Sequence, residues 1–129
     1  MLNIKSIHHI AIIAGDYERS KHFYTEILGF KIIKETFRAE RNSYKLDLAI
    51  GDLYQIELFS FPGHRERASF PEARGLRHLA FAVENVASAA SELMAYGVDV
   101  QGVRVGELTD KQFCFFYDPN GQPLELYEI

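Results

Sequence analysis

Two histidines and two glutamates recur at almost the same interval in the two halves of this chain. His78 follows His9 by 69 residues, and Glu125 follows Glu57 by 68. Imidazole and carboxylate donors without thiolates suit Ni²⁺, Co²⁺, Fe²⁺, Mn²⁺ or Zn²⁺. Two carboxylates cancel the charge of one divalent cation, and two neutral imidazoles complete four protein ligands. If the two halves converge, the pattern predicts one metal centre with two octahedral positions left for water or a substrate.

Each of these residues lies in a strand-like segment, on the face opposite the bulky aliphatic side chains. Because successive strand residues point to opposite faces, His9 shares a face with Ala11, and His78 with Ala80. Small residues beside a histidine leave space, which is typical of a pocket wall. Burying a carboxylate on such a face costs several kcal/mol without a partner, and a shared cation would remove that cost.

A structural role is the alternative for each residue taken alone. A strand glutamate often pairs with an arginine, here Arg77 or Arg104, and a strand histidine is often a hydrogen-bonded core residue. The repetition of a His/Glu pair at one offset favours the metal centre over four separate structural roles.

The elements that must position these residues recur in the same order in both halves. The first half predicts a strand buried on both faces (Ile4–Ala14), a helix between an Asp16 cap and Gly29, and strands Phe30–Phe37, Tyr44–Ile50 and Leu53–Phe61. The second half predicts a strand (Leu76–Val83), a helix between an Asn85 cap and Gly97 with an apolar face of Val86, Ala89, Ala90, Leu93 and Met94, and strands Val98–Val103, Gln112–Tyr117 and Pro123–Tyr127. The shared offset predicts a duplicated βαβββ unit rather than two unrelated α+β segments.

These boundaries predict a single domain over residues 1–129, with module one at about 4–61, a solvated linker at about 62–75 and module two at about 76–129.

The net charge of −4 disfavours general binding to nucleic acid, which needs clustered Lys and Arg. No apolar run reaches the roughly 20 residues of a membrane span, and no signal peptide is recognisable. Cys114 is the single cysteine, so no intrachain disulfide forms. We expect a soluble cytoplasmic protein that binds a small molecule, without nucleic-acid or membrane partners.

Several segments resemble the vicinal oxygen chelate superfamily, which includes glyoxalase I, extradiol dioxygenases, epimerases and bleomycin-sequestering proteins. The similarity is strongest to bacterial glyoxalase-family proteins of the lactoylglutathione-lyase type. The residues that carry it are His8-His9-Ile10-Ala11-Ile12, Asp16, Phe23-Tyr24, Leu28-Gly29-Phe30, Ile56-Glu57-Leu58, Arg77-His78-Leu79-Ala80-Phe81, Asp118-Pro119-Asn120-Gly121 and Leu124-Glu125-Leu126. The resemblance covers nearly the whole chain. It implies an α+β fold in which tandem βαβββ modules form an eight-stranded open bowl around one divalent metal ion.

By this resemblance the metal ligands are His9, Glu57, His78 and Glu125. The implied activity is that of a glyoxalase I-like isomerase or lyase, whose metal stabilises an enediolate-type intermediate of a small oxygenated substrate. Glu125, which would move the proton between adjacent carbons, and Glu57 are the catalytic candidates. The alternatives are another metalloenzyme, either an epimerase or an antibiotic-modifying thiol transferase, and a protein that sequesters a small molecule.

Two positions depart from glyoxalase I. Its members usually carry an arginine four residues after the first ligand and an asparagine four after the second, both of which contact glutathione. Ile13 and Phe61 occupy these positions here, and neither can bind a carboxylate or an amide. The residues that usually contact glutathione are therefore missing at these two positions, which leaves the substrate open. We also expect a homodimer, with the modules paired either within one chain or across two.

Overall fold

Each half of the chain folds as one βαβββ module in the computed structural model, which covers residues 1–129. The elements are β1 (Ile10–Ile13), α1 (Tyr17–His22), β2 (Lys31–Arg38), β3 (Ser43–Ile50), β4 (Leu53–Phe59), β5 (Leu79–Val83), α2 (Val86–Ala95), β6 (Arg104–Val105), β7 (Gln112–Tyr117) and β8 (Pro123–Glu128). The predicted α+β class and the repeated βαβββ order are confirmed. Neither helix has the length and hydropathy needed to cross a membrane.

The first compact unit, Met1–Glu66, contains an open mixed sheet with the strand order β1-β4-β3-β2. β1 runs parallel to β4, and this pairing places Ala11 directly opposite Glu57. β3 and β4 form the predicted hairpin, whose turn contains Gly51 at a positive φ of 61°. The first unit therefore brings the segment after His9 alongside the strand that carries Glu57.

The helix that joins β1 to β2 begins where the sequence predicts. The side chain of Asp16 accepts a hydrogen bond from the Arg19 backbone N–H at 3.1 Å, which satisfies a donor that a helix start leaves free. After α1 the chain widens into a π-helical turn over Phe23–Ile27. The segment ends at Gly29, whose φ of +77° suits a residue without a Cβ.

The second compact unit, Arg67–Ile129, repeats this arrangement with the strand order β5-β8-β7-β6. β5 runs parallel to β8, with Ala80 opposite Glu125. The side chain of Asn85 caps α2 by accepting from the Ser88 N–H at 2.9 Å. α2 packs on β7 and β8. Both glutamates thus lie opposite an alanine that follows a candidate histidine by two residues.

Apolar burial explains why the glutamates face away from the helices. Ile56 and Leu58 in β4, and Leu124 and Leu126 in β8, lie in the two cores, and their burial contributes roughly 1.5–3 kcal/mol per side chain. Because side chains alternate along a strand, the residue between each aliphatic pair is directed to the other face. This alternation directs the glutamates of both strands to the faces predicted from the sequence.

The predicted first strand of each module is too long. β1 spans Ile10–Ile13 rather than Ile4–Ala14, and β5 begins at Leu79 rather than Leu76. In each case the parallel partner strand begins its pairing only after the candidate histidine. Burial of β1 on both faces is also wrong, because this edge strand leaves Ile13 50% exposed.

Two predictions in the second module are wrong. The strand expected at Val98–Val103 is reduced to an isolated bridge at Val100, and the regular strand β6 lies beyond Gly102, a residue type that weakens strands. The sequence pattern predicts Met94 on the buried apolar face of α2, but this residue is 54% exposed. The fully buried stripe of that helix is narrower than its apolar sequence pattern, and it consists of Val86, Ala90 and Leu93.

Candidate metal centre

The first candidate pair is formed by His9 and Glu57. Nε2 of His9 lies 2.8 Å from Oε2 of Glu57. Ala11 stands between them in the β1–β4 register and has no side chain beyond Cβ, so the imidazole reaches across to the carboxylate. The side chain of Glu57 is largely buried, whereas that of His9 is 38% exposed. The structure therefore brings these two predicted residues into contact, and the pair is accessible to solvent on the His9 side.

A polar network holds the second oxygen of Glu57. Nζ of Lys45 lies 2.9 Å from Oε1 of Glu57 and 3.4 Å from the carboxylate of Asp47. The hydroxyl of Tyr54 lies 2.7 Å from the same Oε1 and 2.8 Å from Oδ1 of Asp47. Oε1 is thus occupied, and Oε2 is the oxygen directed to His9.

This network also sets the charge of Glu57. Burial by itself would raise the pKa of the Glu57 carboxyl, but hydrogen bonds from Lys45 and Tyr54 outweigh it and hold the pKa below its usual value. The hydrogen bond to Glu57 in turn raises the pKa of Lys45. Burial and the neighbouring carboxylates raise the pKa of Tyr54, so its hydroxyl stays a donor. Glu57 is accordingly an ionised carboxylate at neutral pH.

His8 supports His9 rather than joining the pair. Nδ1 of His8 lies 2.8 Å from Nδ1 of His9, and the His8 ring lies 5.2 Å from the ring of Tyr54. One imidazole donates to the other, so the hydrogen bond holds the His9 ring by its Nδ1, the nitrogen that faces away from Glu57. Such hydrogen bonds orient histidine ligands in metal centres.

The second candidate pair, His78 and Glu125, has the same contact. Nε2 of His78 lies 2.8 Å from Oε2 of Glu125, with Ala80 opposite the glutamate. The His78 ring meets Phe115 edge to face at 5.1 Å. Its Nδ1 is buried without a hydrogen-bond partner. Glu125 and the edge contact with Phe115 therefore orient this ring, without a counterpart of His8.

The surroundings of Glu125 differ from those of Glu57. Phe115 is the cross-strand neighbour of Glu125, where the first module places Asp47 beside Glu57. No lysine or tyrosine contacts Glu125, and His78 is its ion-pair partner. One glutamate is therefore fixed by cationic and hydroxyl donors, while the other is buried opposite Phe115 with a single polar contact.

Both pairs fit a divalent cation by donor type and spacing. Two adjacent ligands at about 2.1 Å from an octahedral ion are about 3 Å apart, close to the 2.8 Å in each pair. Residue exposure is 9% for Glu57 and 7% for Glu125, so both carboxylates are shielded from solvent. The candidate ligands form two separate His/Glu contacts, one within each module, and no group of three or more metal-binding side chains is present.

The arginine partners considered as an alternative do not contact these glutamates. Arg77 pairs with Glu72 at 3.3 Å, and Arg104 has no acidic partner. The partner of Glu57 is Lys45, which sequence analysis missed. Parity along β3 shows that Lys45 and Asp47 share a face, but their alignment with Glu57 depends on a register shift between Leu48 and Ala49. No residue pattern in the sequence predicts this register shift.

The fold and the duplicated His/Glu pairs together define an α+β protein of the glyoxalase fold. Residues 6–126 match the sequence profile of the Glyoxalase/Bleomycin resistance protein/Dioxygenase superfamily. The chain belongs to this superfamily, and the resemblance drawn from its motifs is confirmed.

Three close relatives cover nearly the whole chain. It is 57% identical over 125 residues to the uncharacterized protein YwkD of Bacillus subtilis, covering 97% of this chain and 98% of that one. It is 54% identical over 128 residues to the uncharacterized protein YaeR of Escherichia coli, covering 99% of each. The solved structure of a glyoxalase family protein from Enterococcus faecalis is 44% identical, with a TM-score of 0.90 over 98% of this chain and 100% of that one.

More distant relatives are enzymes of three kinds. A lactoylglutathione lyase of Salmonella typhimurium is 29% identical over 93% of this chain and 90% of its own. A 2-epi-5-epi-valiolone epimerase of Actinomyces sp is 27% identical over 96% and 79%, respectively. A manganese-dependent 2,3-dihydroxybiphenyl 1,2-dioxygenase of Geobacillus genomosp. 3 is 31% identical over 92% and 35%. The superfamily relatives thus include a lyase, an epimerase and a dioxygenase.

Proposed function

We propose that this protein is a metal-dependent isomerase or lyase of the glyoxalase I type, acting on a small substrate with two neighbouring oxygen atoms. Its ligands would be His9, Glu57, His78 and Glu125, around one Ni²⁺, Co²⁺, Zn²⁺, Mn²⁺ or Fe²⁺ ion. The proposal requires both pairs to reach the same cation, within one chain or across a homodimer. The main observation behind it is that the two glutamates have different polar contacts although their pairs are otherwise duplicated. Glu57 is bound by Lys45 and Tyr54, whereas Glu125 has only His78.

Glu57 has the properties of a permanent ligand. Lys45 and Tyr54 hold one of its oxygens and keep the carboxylate ionised, so that Oε2 and His9 would be the atoms available to hold a cation. A divalent cation held by these residues would supply Lewis acidity toward the substrate oxygens. His8 orients His9 from behind.

Glu125 has the properties of a proton carrier. Its Oε1 has no hydrogen-bond donor of the protein, and its neighbour Phe115 is apolar. A carboxylate with an unoccupied oxygen can accept a proton from a substrate carbon and return it to the neighbouring carbon, whereas Glu57 is tied by two donors. This division of roles supports an enzyme rather than a protein that only sequesters its ligand.

An epimerase is the second candidate, because it would use the same proton carrier. Phe61 stands where glyoxalase I has a glutathione contact, and its ring stacks on Phe59 at 5.2 Å. Ile13 is half exposed and apolar. With these residues in place of the glutathione contacts, a substrate without glutathione is favoured, and the similarity to a 2-epi-5-epi-valiolone epimerase supports this second candidate.

Metal analysis tests the proposal directly. Protein purified without added metal should contain about one divalent ion per chain by elemental analysis. His9→Ala and His78→Ala should each lose most of it, because each removes a neutral nitrogen ligand. His22→Ala, an exposed histidine outside both pairs, is the matched control and should keep it. Metal absent from the wild-type protein, even after incubation with each ion, would refute the proposal.

A further inference from the structure

We infer that the second module carries an anion-binding subsite at Arg104, so that the substrate of the proposed enzyme bears a carboxylate or phosphate group near its paired oxygens. The role of the anion as part of a substrate rests on the proposed function. The subsite itself rests on a cavity and on the contacts of its arginines.

The cavity lies within the second module and includes a candidate metal ligand. Its volume is about 330 Å³, and its lining includes His78, Phe115 and Tyr117. This volume is at the lower end of the range of small-molecule sites, roughly 300–1,000 Å³. A molecule bound in the cavity would contact the ring that pairs with Glu125.

The charged lining of this cavity is positive, although the whole chain carries −4. Arg67, Arg77 and Arg104 line it against one acid, Glu72. Arg77 pairs with Glu72 at 3.3 Å. Arg67 donates to the carbonyl oxygens of residues 76 and 77 at 2.8 and 3.2 Å, which commits its guanidinium to the backbone. Arg104 is the arginine left without an acidic or backbone-carbonyl partner.

Contacts on one side orient the guanidinium of Arg104. It lies over the rings of Phe113 and Phe115, at 5.1 and 5.6 Å from their centroids. Nη2 donates a long hydrogen bond of 3.4 Å to the Gln101 side-chain oxygen, and the Gln101 amide donates to the Tyr117 hydroxyl at 3.1 Å. The other guanidinium N–H groups have no protein acceptor. A planar, oriented guanidinium with free donors is suited to bidentate binding of a carboxylate or phosphate.

Phe115 connects this subsite to the candidate metal centre. One ring contacts both the guanidinium of Arg104 and the edge of the His78 imidazole. An anion at Arg104 would therefore lie about one phenyl ring away from His78. A small acid with two neighbouring oxygens could bind Arg104 with one end and approach His78 with the other.

Covering Phe113 and Phe115 with its aliphatic stem is the purely structural alternative for Arg104. That role predicts reduced stability on substitution, without any effect on anion affinity. The two roles therefore differ in a binding measurement.

The test is a titration of the metal-free protein, followed through the backbone amide NMR resonances of Gln101 and Phe115. Malonate and inorganic phosphate are titrated separately, and uncharged dimethyl malonate is the control ligand. We expect saturable shifts with at least one anion, and about tenfold weaker binding or more in Arg104→Gln. Arg104→Lys should lie between, because it keeps the charge but loses the planar fork. Arg19→Gln, which removes an exposed arginine of α1, should bind like the wild type.

Equal anion affinity in the wild type and Arg104→Gln, or equal shifts with dimethyl malonate, would overturn the inference. Whichever anion binds more tightly identifies the group as a carboxylate or a phosphate. Failure of anion binding together with stoichiometric metal would overturn the subsite alone. Arg104-dependent anion binding in a protein that takes up no metal would support the subsite and overturn the proposed function.

Discussion

Lys45 reaches the Glu57 carboxylate at 2.9 Å, and a phenylalanine occupies the corresponding position in the second module. Lys45 pairs with the residue two beyond Glu57, and Phe113 pairs with the residue two beyond Glu125. The duplicated fold thus repeats the His/Glu geometry but not its electrostatic surroundings. Under the proposed function, this difference would separate a carboxylate that holds the cation from one that exchanges a proton.

Replacing Lys45 should destabilise the fold in a pH-dependent manner. The pKa of Glu57 is lowered in the fold, so its ionised form adds stability above its ordinary pKa of 4.5, and this stability is lost as the pH falls through the lowered value. Lys45→Met removes the stronger of the two donors that lower it. We expect a loss of about 1–3 kcal/mol at pH 7, shrinking in acid, measured by urea unfolding in the presence of a chelator.

The control for this experiment is Lys31→Met, which removes an exposed lysine of the same sheet and should change stability little. A loss in Lys45→Met that is the same at pH 7 and in acid would mean that packing of the lysine stem, rather than its charge, matters.

Substitution of the two glutamates should have different consequences. Glu125→Gln should lower turnover per bound metal about 10²- to 10⁴-fold, because it removes the proton carrier. Glu57→Gln should mainly lower the amount of bound metal, because it removes the ionised ligand. Turnover and metal content measured on the same samples separate these effects. Equal losses per bound metal in both variants would contradict the division of roles.

Glutathione adducts should be poor substrates. Ile13 and Phe61 offer no partner for a carboxylate or an amide, so methylglyoxal should react no faster with glutathione than with other thiols or with none. The rates of the three mixtures, followed by loss of methylglyoxal, provide the measurement. The double variant Ile13→Arg and Phe61→Asn should gain dependence on glutathione. Efficient glutathione-dependent turnover by the wild type would show that other residues bind this thiol.

If the protein forms the expected homodimer, mixed dimers can determine which chain supplies each pair. One double variant removes the first pair (His9→Ala and Glu57→Gln), and the other removes the second (His78→Ala and Glu125→Gln). Neither homodimer should hold metal. If a centre combines modules from two chains, co-expression should restore about a quarter of the sites, because half of the dimers are mixed and each contains one intact centre. Recovery of no metal in purified mixed dimers would assign both pairs to one chain.

Sequence alone identified the repeated βαβββ unit, the helix caps Asp16 and Asn85, and the strand face on which each glutamate lies. These features depend on local rules, namely strand alternation, capping chemistry and a constant offset between repeats. The structure brings His9 to Glu57 and His78 to Glu125 at 2.8 Å, whereas the convergence of all four residues on one metal stays a prediction.

Tertiary structure decided what surrounds those pairs. A register shift between Leu48 and Ala49, which leaves Gln55 of β4 without a cross-strand partner, sets the hairpin so that Asp47 lies opposite Glu57. In the 67–77 segment, Arg67 binds the backbone carbonyl of Leu76 and Arg77 pairs with Glu72. Arg104 instead lies over the rings of Phe113 and Phe115. Both outcomes depend on contacts between residues distant in sequence, and such contacts are set by the packing of whole elements rather than by the preference of any one segment.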